Sequence, residues 1–268
     1  MEVLIKTARV SYGIMVAGLA TQQIFYKTFR PVILPPWQLS FPGFAIFVYV
    51  ASAFFIIGGA AIVLNRKVEI ISLILGGLFL FMFLFCQVPY ELFANPNYMH
   101  LGEWAQAEKE LVLAGGGFVI AGLFPLAKEN DQKKTFIINL LEKMIPFGSV
   151  LTCVTMVSFV LDHFFYTEGV STLVPTWIPG AMFWTYFAGA ALVCSGVAIL
   201  LRIKLKLSAL LLSSMIFIWV FVLHIPRAIA DPYGLQGNEV SSVFEAFGFS
   251  GVAYLIGYGD SGTRNSDV

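Results

Sequence analysis

The sequence predicts an all-α integral membrane protein: eight transmembrane helices forming two parallel four-helix-bundle repeats. Composition is the first observation behind this. Of 268 residues, 58% are hydrophobic and only 12% charged, with a mean hydropathy of +0.83, whereas a water-soluble domain carries about 25% charge. The second is a series of nearly uncharged windows near 10–26, 45–64, 70–88, 111–127, 144–161, 181–201, 207–226 and 246–259, most of them close to the ~20 residues that cross a hydrocarbon core. The third is that these runs are continuous. A transmembrane β-barrel would alternate apolar and polar residues instead.

Taken in order, the first window has no A-x-A-like cleavage site after it and reads as a retained helix. The second follows "LPPWQLSFPG" at 34–43, and the third carries Gly76-Gly77 and runs to Pro89. "ELVLAGGGFVIAG" at 110–122 opens the fourth, whose small residues permit close helix approach in lipid. The polar run "ENDQKK", 129–134, then reads as a cytoplasmic linker dividing a first repeat (1–128) from a second (135–268). The sixth window follows "LVPTWIPG" at 173–180, and the seventh ends in "VLHIPRAIADP" at 222–232. The eighth is short, and reaches a full span by starting near Val240 and taking Glu245 inside. Cys86, Cys153 and Cys194 lie singly within predicted spans with no C-x-x-C, so they read as small packing residues and not as a dithiol centre.

The two halves share landmarks in one order. Trp37 and Trp177 are 140 residues apart; Tyr49 and Tyr186, Gly59 and Gly196, and Pro89 and Pro226 share an offset of 137. "ELVLAGGGFVIAG" meets "EAFGFSGVAYLIG" at an offset of 135. A slowly drifting offset is what duplication followed by small loop changes leaves. With four spans each, the copies keep one topology and relate by an axis along the membrane normal. Lys and Arg divide twelve to four between alternate loops, which predicts both termini in the cytoplasm.

Polar residues collect on the other face, with all three histidines among them. His224, Arg227 and Asp231 are spaced three and four apart, hence neighbours on one side if the helix continues, or separated if Pro226 breaks it. His224 aligns with Gln87 and Arg227 with Tyr90, so any special chemistry belongs to the second half. Glu245 inside a span would cost ~2.5–3.5 kcal/mol if unpaired. The expected partner is Arg227, in a charge-assisted pair joining the last two spans. Asp162 and His163 complete the candidates for ligand or proton handling; solvation of span ends by water and headgroups is the plainer reading of the same residues. No P-loop, H-E-x-x-H or G-x-S-x-G occurs, nor a G-x-G-x-x-G in a strand context, and no metal site is expected.

"LVPTWIPGAMFWTYFAGAALVCSGVAILL", "VLHIPRAIADP" and "EAFGFSGVAYLIG" together resemble the DoxX-like family of bacterial four-helix membrane proteins, and "EKELVLAGGGFVIAG" is similar to that family's final helix. The resemblance implies a multi-pass protein of the bacterial inner membrane, here in a tandem form, with His224 at the position of the family's third-helix histidine. It also implies association with redox work. The expected function is accordingly a redox-associated membrane subunit binding a quinone or similar amphipathic ligand near the periplasmic face. His224 would bond the head group or relay a proton, Arg227 would hold it, and Asp231 and Glu245 would set their charge. No intrinsic cofactor is expected beyond such a quinone. The expected partners are the lipid bilayer and a redox protein, with no nucleic acid. A small-solute or lipid transporter, or a ligand-free scaffold for a partner enzyme, are the alternatives, and whether the chain is itself an enzyme is left open.

Overall fold

A computed structural model describes residues 2–37, 42–125 and 135–259; the linker expected at 129–134 lies outside them. Every regular element among the described residues is helical. Seven helices are long and apolar enough to cross a membrane, so the chain is a multi-pass, all-α membrane protein. We label these α1 (Glu2–Tyr26), α2 (Phe44–Val63), α3 (Val68–Phe93), α5 (Phe136–Phe165), α6 (Ala181–Leu200), α7 (Leu205–Ala230) and α8 (Asn238–Gly259). Between α3 and α5 lies α4, Ala105–Leu123, a 19-residue helix whose first turns carry Glu108, Lys109 and Glu110. Its body is Gly-rich and almost wholly buried.

α4 and α8 pack against each other near the centre. Around them, α1 packs on α2, α3 on α4, α4 on α5, α5 on α6, α7 on α8 and α8 back on α1. The last helix of each half therefore rests on the first helix of the other, and the two halves share one core. The outward faces of α2 and α6 stay apolar, as Ile46, Val50 and Ile57 or Phe183 and Phe187 show, which suits lipid contact.

Local rules account for the bounds. Gly43 and Gly180 precede α2 and α6 in the left-handed region (φ 93° and 75°), where a side chain is strained. Pro89 and Pro226 lack the N–H that an α-turn would use and would clash with the preceding carbonyl. The chain answers with one wider π-type turn just before each, Phe83–Gln87 and Val220–His224, after which the helix resumes. α5 likewise tightens at Ile145–Phe147 around Pro146. The bounds of α2 and α3, the π-type turn in α3 and the left-handed residues Asn65 and Lys67 all recur 137 residues later, in α6, α7, Arg202 and Lys204.

The connections 27–37, 94–104, 166–180 and 231–237 meet at one end of the bundle. There Gln22 Nε2 donates to Gly237 O (3.1 Å), Arg30 Nη1 to Gln236 O (2.6 Å) and Leu101 N to Tyr166 Oη (3.3 Å). We call this the polar end.

Candidate functional site

Four helix ends meet at the polar end of the second half. α5 brings Asp162 and His163 to its last turn, and α7 brings His224 from its π-type turn and Arg227 from the turn after. α8 contributes Glu239, Ser242 and Glu245, while α4 crosses from the first half with Lys109. Together they surround a chamber of about 370 Å³, within the ~300–1,000 Å³ typical of small-molecule sites. Its deeper walls are apolar and aromatic: Met156, Phe159, Trp184, Leu192, Met215, Trp219 and Phe249. Trp184 and Trp219 meet edge to face with centroids 6.3 Å apart.

Five of the six residues singled out from sequence line this chamber: Asp162, His163, His224, Arg227 and Glu245. Asp231 does not. The helix stops at Ala230, Asp231 turns to φ −138°, and its Oδ1 accepts from Gly234 N at 2.9 Å. Its side chain caps an exposed turn and does not line the chamber with His224 and Arg227.

The ion pairing also differs from expectation. Glu245 is 4% exposed, as its cost in lipid demands, but its partner is Lys109 Nζ at 3.0 Å. Arg227 instead makes a two-pronged pair with Glu239, Nε to Oε2 at 2.8 Å and Nη2 to Oε1 at 2.5 Å. Its Nη1 reaches Leu173 O at 3.3 Å. Geometry explains the exchange: Glu239 sits in the first turn of α8, level with the outer end of α7, whereas Glu245 lies nearly two turns deeper, level with the cation that α4 supplies.

His163 Nδ1 lies 2.7 Å from Phe159 O. A carbonyl only accepts, so Nδ1 carries the proton and Nε2 keeps its lone pair. His224 has no hydrogen-bond partner among the described residues and lines the chamber. The chamber thus offers donors (Lys109, His224), an acceptor (His163 Nε2) and two internally neutralised ion pairs. Among the described residues no three His, Cys, Asp or Glu side chains come together as metal ligands.

Arg30 carries no sequence signal of its own, yet it is one of the most buried side chains, at 1% exposure. Its backbone N–H donates to Gln23 Oε1 (3.3 Å) and its guanidinium stands over the Tyr26 ring at 5.6 Å. By packing into the polar end of the first half it fixes the loop 27–37. Glu239 and Lys109 were equally hard to single out, because their partners lie on other helices at separations that only folding brings together. No protein-family model, curated protein or solved structure matches this chain.

Proposed function

We propose that the chain is a tandem, DoxX-like membrane protein of eight spans, α4 included, whose second repeat binds an uncharged amphipathic molecule with a quinone-like head. The proposal includes both termini in the cytoplasm of a bacterial cell, which makes the polar end periplasmic. Support for the repeat is the recurrence of helix bounds, π-type turns and left-handed residues at one offset. α4 counts as a span because its charged turns lie at the polar end and its Gly-rich body is buried.

The observation that carries the ligand is the chamber: an apolar, tryptophan-walled space with a hydrogen-bonding rim at one end. A quinone-type head needs donors for its carbonyl oxygens, and Lys109 and His224 are placed to give them. Its apolar tail would lie between Trp184, Trp219 and Phe249. Lys109 and Arg227 are each matched by a carboxylate, an arrangement suited to a neutral head. Crowding of these groups at helix ends, with the walls below apolar, favours binding at one face over alternating access about the midplane. The reading includes a redox partner protein at the periplasmic face.

The test uses the purified full chain. Lipid extraction is expected to yield a co-purified quinone, and decylubiquinone is expected to quench tryptophan fluorescence saturably. No quinone in the extract together with no saturable quenching would sink the reading.

A further inference from the structure

A second, open cleft of about 250 Å³ lies beside the chamber at the polar end. His100, Gly102 and Tyr166 form its outer part; Asp162, Val170 and Leu173 line both it and the chamber. The two spaces are thus neighbours across a thin wall, and Asp162 is the polar member of that wall.

Three details define this wall. His100 is stacked on Tyr166, with ring centroids 4.1 Å apart and planes at 19°, which draws the imidazole to one side. Gly102 stands between the His100 ring and Asp162: a Cβ there would sit 3.1 Å from the imidazole and 3.6 Å from Asp162 Oδ1. Glycine therefore preserves the gap. Asp162 Oδ1 itself is buried without a hydrogen-bond partner among the described residues, and such an oxygen demands water or a cation.

The groups facing Asp162 are His163 on its own helix, His100 from the 100–104 turn, and Glu108 and Lys109 from α4. Lys109 is held by Glu245 and His163 Nδ1 by Phe159 O. Among the described residues, Asp162 is the one carboxylate that lines the cleft.

We propose that the cleft is an aqueous port into the chamber, with Asp162 as its doorpost, through which water and small cations, hydronium foremost, reach the head-group end. This goes beyond the ligand reading above and depends on the shape of the chamber, not on what fills it.

The experiment places a single reporter thiol in the chamber, Ala105→Cys, in the full chain with Cys86, Cys153 and Cys194 replaced by alanine. Ser242→Cys serves as a second reporter should the first fold poorly. Labelling rates are compared for two methanethiosulfonates of similar size, the trimethylammonium-ethyl cation and the sulfonatoethyl anion. The cation is expected to react about tenfold faster relative to each reagent's rate with free thiol, and Asp162→Asn to abolish that preference without closing the port. Gly169→Trp is expected to slow both reagents, because nothing lies within 4 Å of a Cβ at Gly169 and the indole would occupy the cleft. Equal rates for the two charges in the parent, or labelling indifferent to Gly169→Trp, would overturn the proposal. Prior addition of decylubiquinone separates this from the ligand reading: a port that labels normally while the quinone gives no protection leaves the port standing and removes the ligand.

Discussion

The polar ends of the two halves begin from the same helix pattern and finish differently. In the second half the connection 166–180 stays at the rim, with Thr167 its only buried residue, and a chamber is left beneath it. In the first half the connection 27–37 dives inward. Phe29, Arg30, Val32 and Ile33 are all buried, and Pro31 O accepts from Gln87 Nε2 at 2.6 Å. Gln87 is the counterpart of His224, so the loop occupies the place that the ligand would take in the other half. A second difference lies on the central helices. Glu245 meets Lys109, but its counterpart Glu110 is fully buried beside Gln87, with no cation paired to it among the described residues. The position matching Lys109 is Phe244, whose ring lies over Gly18 of α1. The first half supplies the cation, Lys109, and the buried loop 27–37; the second supplies the aromatic ring, Phe244, and most of the chamber wall. The two halves thus share a helix pattern and differ in what fills their polar ends.

The largest effect should come from removing the cation on which this contrast turns. Lys109→Met leaves Glu245 buried without its ion-pair partner at the join between the halves, which is expected to cost about 3 kcal/mol. Thermal unfolding in detergent reads it. Adding Glu245→Gln should recover most of the loss, because the charge that lacked a partner is then gone. A Lys109→Met protein as stable as the parent would mean that the pair does not join the halves.

Close packing gives the next comparison. A Cβ on Gly59 would meet Gly13 O at 2.5 Å and Ala17 N at 3.0 Å, both backbone atoms that cannot yield. On its counterpart Gly196 the nearest atom is Val157 Cγ2 at 3.1 Å, the end of a side chain. Gly59→Ala should therefore cost about 2 kcal/mol. Gly196→Ala should stay within about 0.5 kcal/mol of the parent, as the ~1 kcal/mol gained by alanine over glycine in a helix offsets the tight contact. Matching losses would show that α5 and α6 cross as closely as α1 and α2.

Much of this was legible in the sequence, and the reason is that lipid is an undiscriminating solvent. Apolar windows, Pro-Gly landmarks and a common offset follow from rules acting within one helix, so the helix order could be read directly, whereas the sequence left open whether the helix survives Pro226. Five of the six candidate site residues reach the chamber because helix ends alternate between two faces. Partnership was not legible. Whether Glu245 meets Arg227 or Lys109 depends on depth and on which helix is central, and nothing in the local pattern states that α4 crosses toward the second half. Asp231 fails for a related reason: three-and-four spacing places a residue on a face only while the helix lasts, and this one ends one residue earlier. The plug formed by 27–37 was hidden as well, since its apolar residues read as any loop near a membrane.

His224→Gln makes the second half resemble the first at one position and leaves the chamber's walls alone. Decylubiquinone should bind about tenfold more weakly, in line with loss of one well-placed hydrogen bond, with no change in thermal stability. Unchanged affinity would place the head group away from His224, toward Lys109 and Ser242.

The smallest effect separates the two pairings for Arg227. Its pair with Glu239 is half-exposed, with side chains 27% and 17% accessible, so solvent screens it and Arg227→Gln should cost only about 1 kcal/mol. Glu239→Gln should cost no more than this, since Arg227 also donates to Leu173 O, and the double variant no more than Arg227→Gln alone, because the ion pair is lost in each. Arg227→Gln combined with Glu245→Gln should instead be additive within about 0.5 kcal/mol, since Glu245 belongs to Lys109. Coupling between Arg227 and Glu245 in this cycle would return the staple to the last two helices of the second half. It would also leave Lys109 free, and the join between the halves would then rest on the packing of α4 against α5 and α8 and of α8 against α1.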